Sequence, residues 1–78
     1  MRYGVSTKLP TEKVLEKAVE YFQKLGLKIT SLDDKMVCLE GGGGHVTITV
    51  CSNDETDVDI VTSEWDYHVK QFMQRIAS

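Results

Sequence analysis

With a single proline in 78 residues, no internal repeat and no low-complexity tract apart from one run of glycines, the sequence has no linker, and one domain spanning residues 1–78 is expected. No stretch approaches the roughly 18 apolar residues of a membrane-spanning helix, and Met1-Arg2-Tyr3-Gly4-Val5 does not open an apolar stretch of signal-peptide length. The expectation is a cytoplasmic protein with no membrane partner. Cysteine is scarce: Cys38 and Cys51 form no C-x-x-C pair, which excludes the ligand spacing of structural zinc and the redox spacing of thioredoxin-like sites. Free thiols, no metal and no cofactor are expected. Positive charge is also short, with nine Lys and Arg against twelve Asp and Glu for a formal charge of -3. Nucleic-acid sites concentrate positive charge, whereas here Asp54, Glu55, Asp57 and Asp59 concentrate the negative. That counts against DNA or RNA, since Arg2, Lys8, Lys28 and Lys35 supply only a sparse basic patch.

The composition that is present, 41% apolar and 27% charged, is that of a folded globular chain. A domain near this size buries only roughly 60–65% of the surface of its unfolded chain. The core is therefore thin, and a homodimer or a complex with a protein partner is expected to supplement it.

Periodicity places the elements. Tyr3, Val5, Thr7 and Leu9 alternate with Arg2, Gly4, Ser6 and Lys8, the period of a half-buried strand that Pro10 ends. Thr11 is the expected cap of a helix whose apolar stripe is Val14, Leu15, Ala18, Val19, Phe22 and Leu25. Gly26 is placed to stop it in the left-handed conformation, with Leu27 packing back. Leu27, Ile29 and Ser31 form one face of the second strand and Lys28, Thr30 and Leu32 the other. Met36 to Leu39 is a third strand, all apolar, whose faces alternation does not separate. In the fourth, Val46, Ile48 and Val50 point inward and His45, Thr47, Thr49 and Cys51 outward; in the fifth, Val58 and Ile60 point inward and Asp57, Asp59 and Val61 outward. Ser63 with Asp66 resembles a capping box opening a second helix, with Trp65, Val69, Phe72, Met73 and Ile76 as its buried stripe.

The result is an α+β two-layer sandwich: a five-stranded, mainly antiparallel sheet with both helices on one face, in the order β-α-β-β-β-β-α. This order resembles one half of a TATA-box-binding-protein-like domain over nearly the whole chain. The resemblance is one of topology and implies an open sheet face used to bind DNA, coenzymes or proteins. The DNA-binding form carries two such halves with basic and aromatic residues on that face; here the face is read as His45, Thr47, Thr49, Cys51, Asp57 and Asp59, which departs from it.

Candidate sites are few. Glu40, Gly41, Gly42, Gly43, Gly44 and His45 invite a phosphate-loop reading, but no Gly-Lys-Ser or Gly-Lys-Thr ending follows and the run enters a strand rather than a helix. A four-residue hairpin loop is expected, using the glycines for positive φ and offering a weak ligand or partner contact. It sets Glu40 opposite His45, Leu39 opposite Val46 and Cys38 opposite Thr47. Cys51 then lies about 14 Å along the sheet from Cys38's partner, too far for a disulfide, whose Cα atoms lie under about 7 Å apart. Glu40 and His45 would begin an acid–base or metal site only if His68 or another acid joined them, and His68 is expected on the far helix. The acids at 54–59 lack the glycine and terminal glutamate of a calcium loop; Asp57 and Asp59 alternate with Val58 and Ile60 and read as a solvated strand face or as edge protection. Trp65 and Phe72, seven apart, read as core.

No nucleophile, base and orienting group can be assembled from the spacing. The sequence thus points to a noncatalytic binding or assembly module using the open sheet face, at Cys38, Thr47, Thr49, Cys51 and Val61, or the glycine loop. The alternative is a small anionic-ligand binding protein.

Overall fold

The computed structural model describes residues 1–77. Its elements are β1 (Arg2–Thr7), α1 (Thr11–Lys24), β2 (Lys28–Leu32), β3 (Met36–Gly41), β4 (Gly44–Ser52), β5 (Thr56–Ser63) and α2 (Asp66–Ile76). The strands form one sheet in the order β1-β5-β4-β3-β2, and every neighbouring pair is antiparallel. Three consecutive hairpins build β2 through β5, and α1 carries the chain between the two edges.

Alternation decides which face is covered. Val37, Leu39, Val46, Ile48, Val50, Val58 and Ile60 from the strands join Val14, Leu15, Ala18 and Phe22 of α1 and Val69, Phe72 and Ile76 of α2 in one buried cluster. Both helices therefore lie on the same face. The rings of Phe22 and Phe72 meet at 5.6 Å between centroids, with Tyr21 edge-on to Phe22 and tilted against Phe72. Three threonines reach this buried layer, and each hydroxyl donates to a backbone carbonyl: Thr7 to Ile76, Thr56 to Leu9 at 2.6 Å and Thr62 to His45 at 2.9 Å. Among the described residues, no buried side-chain oxygen or nitrogen is without a partner.

The exit of α1 follows expectation: Gly26 has φ 100°, its N–H donates to Gln23 and that of Leu27 to Phe22, the paired bonds of a Schellman ending. The helix starts differ. Pro10, extended at φ -62° and ψ 154°, is the N-cap of α1, and Thr11 is its first helical residue, making no cap bond. At α2 the β4–β5 ladder runs on to Ser63, paired with His45, so Ser63 is committed to the sheet. Glu64 turns the corner at φ 74°, and Trp65 takes the N-cap position without a side-chain cap bond. Asp66 instead accepts from the Tyr3 hydroxyl at 2.7 Å.

The second strand is also corrected. A bulge between Ile29 and Ser31 shifts the register, so that Ile29 pairs with Leu39, Ser31 with Cys38 and Leu32 with Val37. The extra residue reverses the alternation. Ser31 joins the open face, and Leu32 turns to the helix side, where it borders Glu12 and Leu15 at the edge and stays 60% exposed. Nor is β5 an edge strand: it lies between β1 and β4, and the edges are β1 and β2.

Candidate functional site

The face away from the helices can be read as cross-strand rows. The first runs Lys28, Glu40, His45, Ser63; the second Ser31, Cys38, Thr47, Val61, Arg2; the third Met36, Thr49, Asp59, Gly4; the fourth Cys51, Asp57, Ser6. The sequence assignment of Cys38, Thr47, Thr49, Cys51, Asp57, Asp59 and Val61 to this side holds. The ambiguity of β3 is resolved, with Val37 and Leu39 buried and Met36 and Cys38 half-buried on the open face. Met36, Cys38, Thr47, Thr49 and Val61 thus form a neutral, partly apolar patch on the face, bordered by Asp59 beside Thr49 and by Arg2 beside Val61.

Much of the charge on this face is already paired. The Arg2 guanidinium forks onto Asp59, Nη2 to Oδ2 at 2.7 Å and Nε to Oδ1 at 3.0 Å. The hydrogen bonds and charge of Asp59 hold the Arg2 pKa above its ordinary value. Asp57 accepts from Ser6 at 3.0 Å and from Asn53 at 3.4 Å. Arg2 and Lys28 stand on opposite edge strands, so the cations predicted as a sparse patch do not gather. Cys38 and Cys51 are free thiols on this face, and the Thr47 hydroxyl donates to the Cys38 sulfur at 3.7 Å.

The glycine hairpin is tighter than expected. Gly41 pairs with Gly44, leaving a two-residue turn, Gly42 at φ 58° and Gly43 at φ 82°, in the primed type that matches strand twist. The register beyond it is the predicted one. The outer glycines are there for space rather than φ. A Cβ on Gly44 would lie 2.1 Å from the Ser63 carbonyl oxygen, and one on Gly41 would lie 3.1 Å from the Leu27 Cα. Trp65 seals the arrangement: its indole N–H donates to the Gly41 carbonyl at 2.8 Å and its ring lies against Gly42. It is half-buried and packs beside the core as a clamp on the hairpin, a role that sequence reasoning missed. A tryptophan 24 residues from a glycine gives no periodic signal.

To the Glu40–His45 pair expected from the hairpin, the sheet adds Ser63, which its spacing did not suggest. Ser63, His45 and Glu40 stand side by side in the first row, the side-chain types of an acyl-transfer triad. Among the described residues no hydrogen bond joins any two of them, and all three are exposed. His68 rests against the Trp65 ring at 5.4 Å between centroids rather than standing free in solvent. No group of three His, Cys, Asp or Glu with metal-holding geometry occurs among the described residues, and no helix among them is long and apolar enough to cross a membrane.

Two hollows bear on ligand binding. A shallow groove beside the hairpin is lined by Lys28, Thr30, Glu40, Gly43, Gly44 and His45. A cleft of about 270 Å³ lies between the helices, where Arg75 sits 5.0 Å over the Tyr21 ring and Lys24 pairs with Glu20 at 3.2 Å. The chain matches no protein-family model and no curated protein, so any functional reading stands on this geometry.

Proposed function

We propose that the protein is a noncatalytic protein-binding or assembly module whose working surface is the open sheet face. One observation carries this reading: Met36, Cys38, Thr47, Thr49 and Val61 form a continuous uncharged patch, while the nearest charges, Arg2 and Asp59, already neutralise one another. Covering such a face buries little unpaired charge, and an uncharged centre with a polar rim is the layout of protein interfaces. The fully occupied packing around Gly41, Gly42 and Gly44 makes the hairpin a structural element first and supports the face over the loop.

The test is affinity capture with Thr47→Glu and Val61→Glu variants beside the wild type. Each variant introduces a carboxylate on an exposed or half-exposed position and leaves the helix side untouched. A protein held by the wild type at fixed stoichiometry is expected to be lost by both variants while their circular dichroism is unchanged. Equal retention by all three contradicts the reading, as does turnover of an activated ester that disappears in Ser63→Ala.

The groove with Lys28 and His45 favours the second reading, a small anionic ligand. Glu40 lies between those two residues in the same row and opposes it electrostatically. A thermal shift with anionic metabolites, lost on placing a bulky residue at Gly43, would select it.

A further inference from the structure

The two edges of the sheet are unlike. The bulge in β2 breaks the even spacing of its outward backbone groups, a device that discourages strand addition. β1 has no such protection. It pairs residue for residue with β5 from Arg2 to Thr7, contains no proline and carries no charge on its helix-side positions Tyr3, Val5 and Thr7.

The direction of its free groups follows from one pair. Met1 exchanges both bonds with Thr62, its amino group donating at 2.6 Å and its carbonyl accepting at 2.9 Å. Bonded positions alternate along an antiparallel ladder. Tyr3, Val5 and Thr7 therefore direct their backbone groups at β5, and Arg2, Gly4 and Ser6 direct theirs outward.

We propose that β1 is a homodimerisation edge, pairing antiparallel with β1 of a second copy about a two-fold axis at Gly4. This proposal does not depend on what covers the open face. In this register Gly4 meets Gly4 of the other copy and Arg2 meets its Ser6. All outward N–H and C=O groups of Arg2, Gly4 and Ser6 are then satisfied, and both sheets keep their helices on the same side. Half-buried Tyr3 and Val5 become cross-strand neighbours between copies, an aromatic with a β-branched residue, which is a favoured pairing. Hydrogen bonding and charge together select the register: an axis at Tyr3 would leave the outward groups of Ser6 unpaired, and charge disfavours a shift the other way. Arg2 of one copy lies across Ser6 from Asp57 of the other, because Ser6 pairs with Asp57 within the chain. Moving the axis to Val5 would set Arg2 against Lys8, a like-charge pair. The product is one ten-stranded antiparallel sheet with a continuous open face.

Sedimentation equilibrium over a hundredfold concentration range, with Ser6→Lys, Ser6→Glu and Thr47→Glu variants, tests this. The wild type is expected to associate to a dimer. Ser6→Lys places an ammonium opposite Arg2 of the other copy and is expected to weaken the dimer about tenfold or more, since the contact occurs twice by symmetry. Ser6→Glu is expected to tighten it. Beside Asp57 the same substitutions act oppositely on the single chain, so a folding defect cannot imitate the result. Thr47→Glu is expected to leave the dimer intact. Amide exchange at Gly4 and Ser6 should slow as concentration rises. A monomer throughout, a dimer indifferent to both Ser6 variants, or a dimer dissociated by Thr47→Glu would each overturn the proposal; the last would place the contact on the sheet face.

Discussion

Four consecutive glycines serve two purposes. Gly42 and Gly43 need positive φ, whereas Gly41 and Gly44 need the absence of a Cβ, one against the exit of α1 and the other against the end of β5. Substitutions should separate the two. Gly43→Ala, with nothing within 4 Å of the new methyl, is expected to cost roughly 1–2 kcal/mol of left-handed backbone strain. Gly44→Ala must displace backbone and is expected to reach or exceed the roughly 1–3 kcal/mol of an overpacked core. Trp65→Phe loses both the bond to Gly41 and the outer ring atoms that lie against Gly42, and is expected to cost at least about 1 kcal/mol. Urea unfolding followed by far-ultraviolet circular dichroism checks all three. The sequence made the hairpin and its register legible because β-branched alternation through Val46, Ile48 and Val50 admits only one inward face. It could not show the clamp, since Trp65 reads equally well as one more apolar residue at helical spacing before Phe72.

The element boundaries show where local signals yield to the sheet. Ser63 and Asp66 carry capping chemistry, yet the Ser63 backbone is held by His45 and the Asp66 carboxylate by Tyr3. Ser63→Ala is accordingly expected to change stability by less than about 0.5 kcal/mol, the range of an ordinary surface substitution; an N-cap would lose about 1 kcal/mol. Denaturant titration distinguishes these values. The bulge at the second strand was invisible for a related reason: Lys28 to Leu32 has too few apolar residues for a reversed alternation to be read, and the register is set instead by Val37 and Leu39 seeking the core. The helix stripes were legible throughout, because Val14, Ala18, Phe22, Val69, Phe72 and Ile76 fill one face at three- and four-residue spacing and nothing else could bury them.

At the scale of the molecule, pairs distant in sequence tie β1 to the rest. The Tyr3 hydroxyl donates to Asp66, which raises its pKa above the ordinary tyrosine value; partial burial and the Asp66 charge add to that bond. The unfolded chain then loses this proton at lower pH than the folded one. The stabilisation is complete below the unfolded tyrosine pKa of about 10 and is lost as pH rises through the folded value. Thermal unfolding from pH 8 to 11 is expected to show a steeper alkaline fall for the wild type than for Tyr3→Phe, and parallel curves would contradict this assignment. The open face was only half legible. Alternation identified its residues, but the Arg2–Asp59 fork joins positions 57 apart, which only the sheet order β1-β5 brings together.

The two cysteines make that face its own reporter, since Cys38 lies at its centre and Cys51 nearer its rim, and both are free. The most direct test is the rate of thiol alkylation at each, read by mass spectrometry, in native cell extract and in purified protein, with exposed Glu16→Cys on α1 as an internal reference. A working sheet face predicts slower alkylation of Cys38 in extract, restored by Val61→Glu, with the reference unchanged. Equal rates at Cys38 in extract and in purified protein would contradict the account.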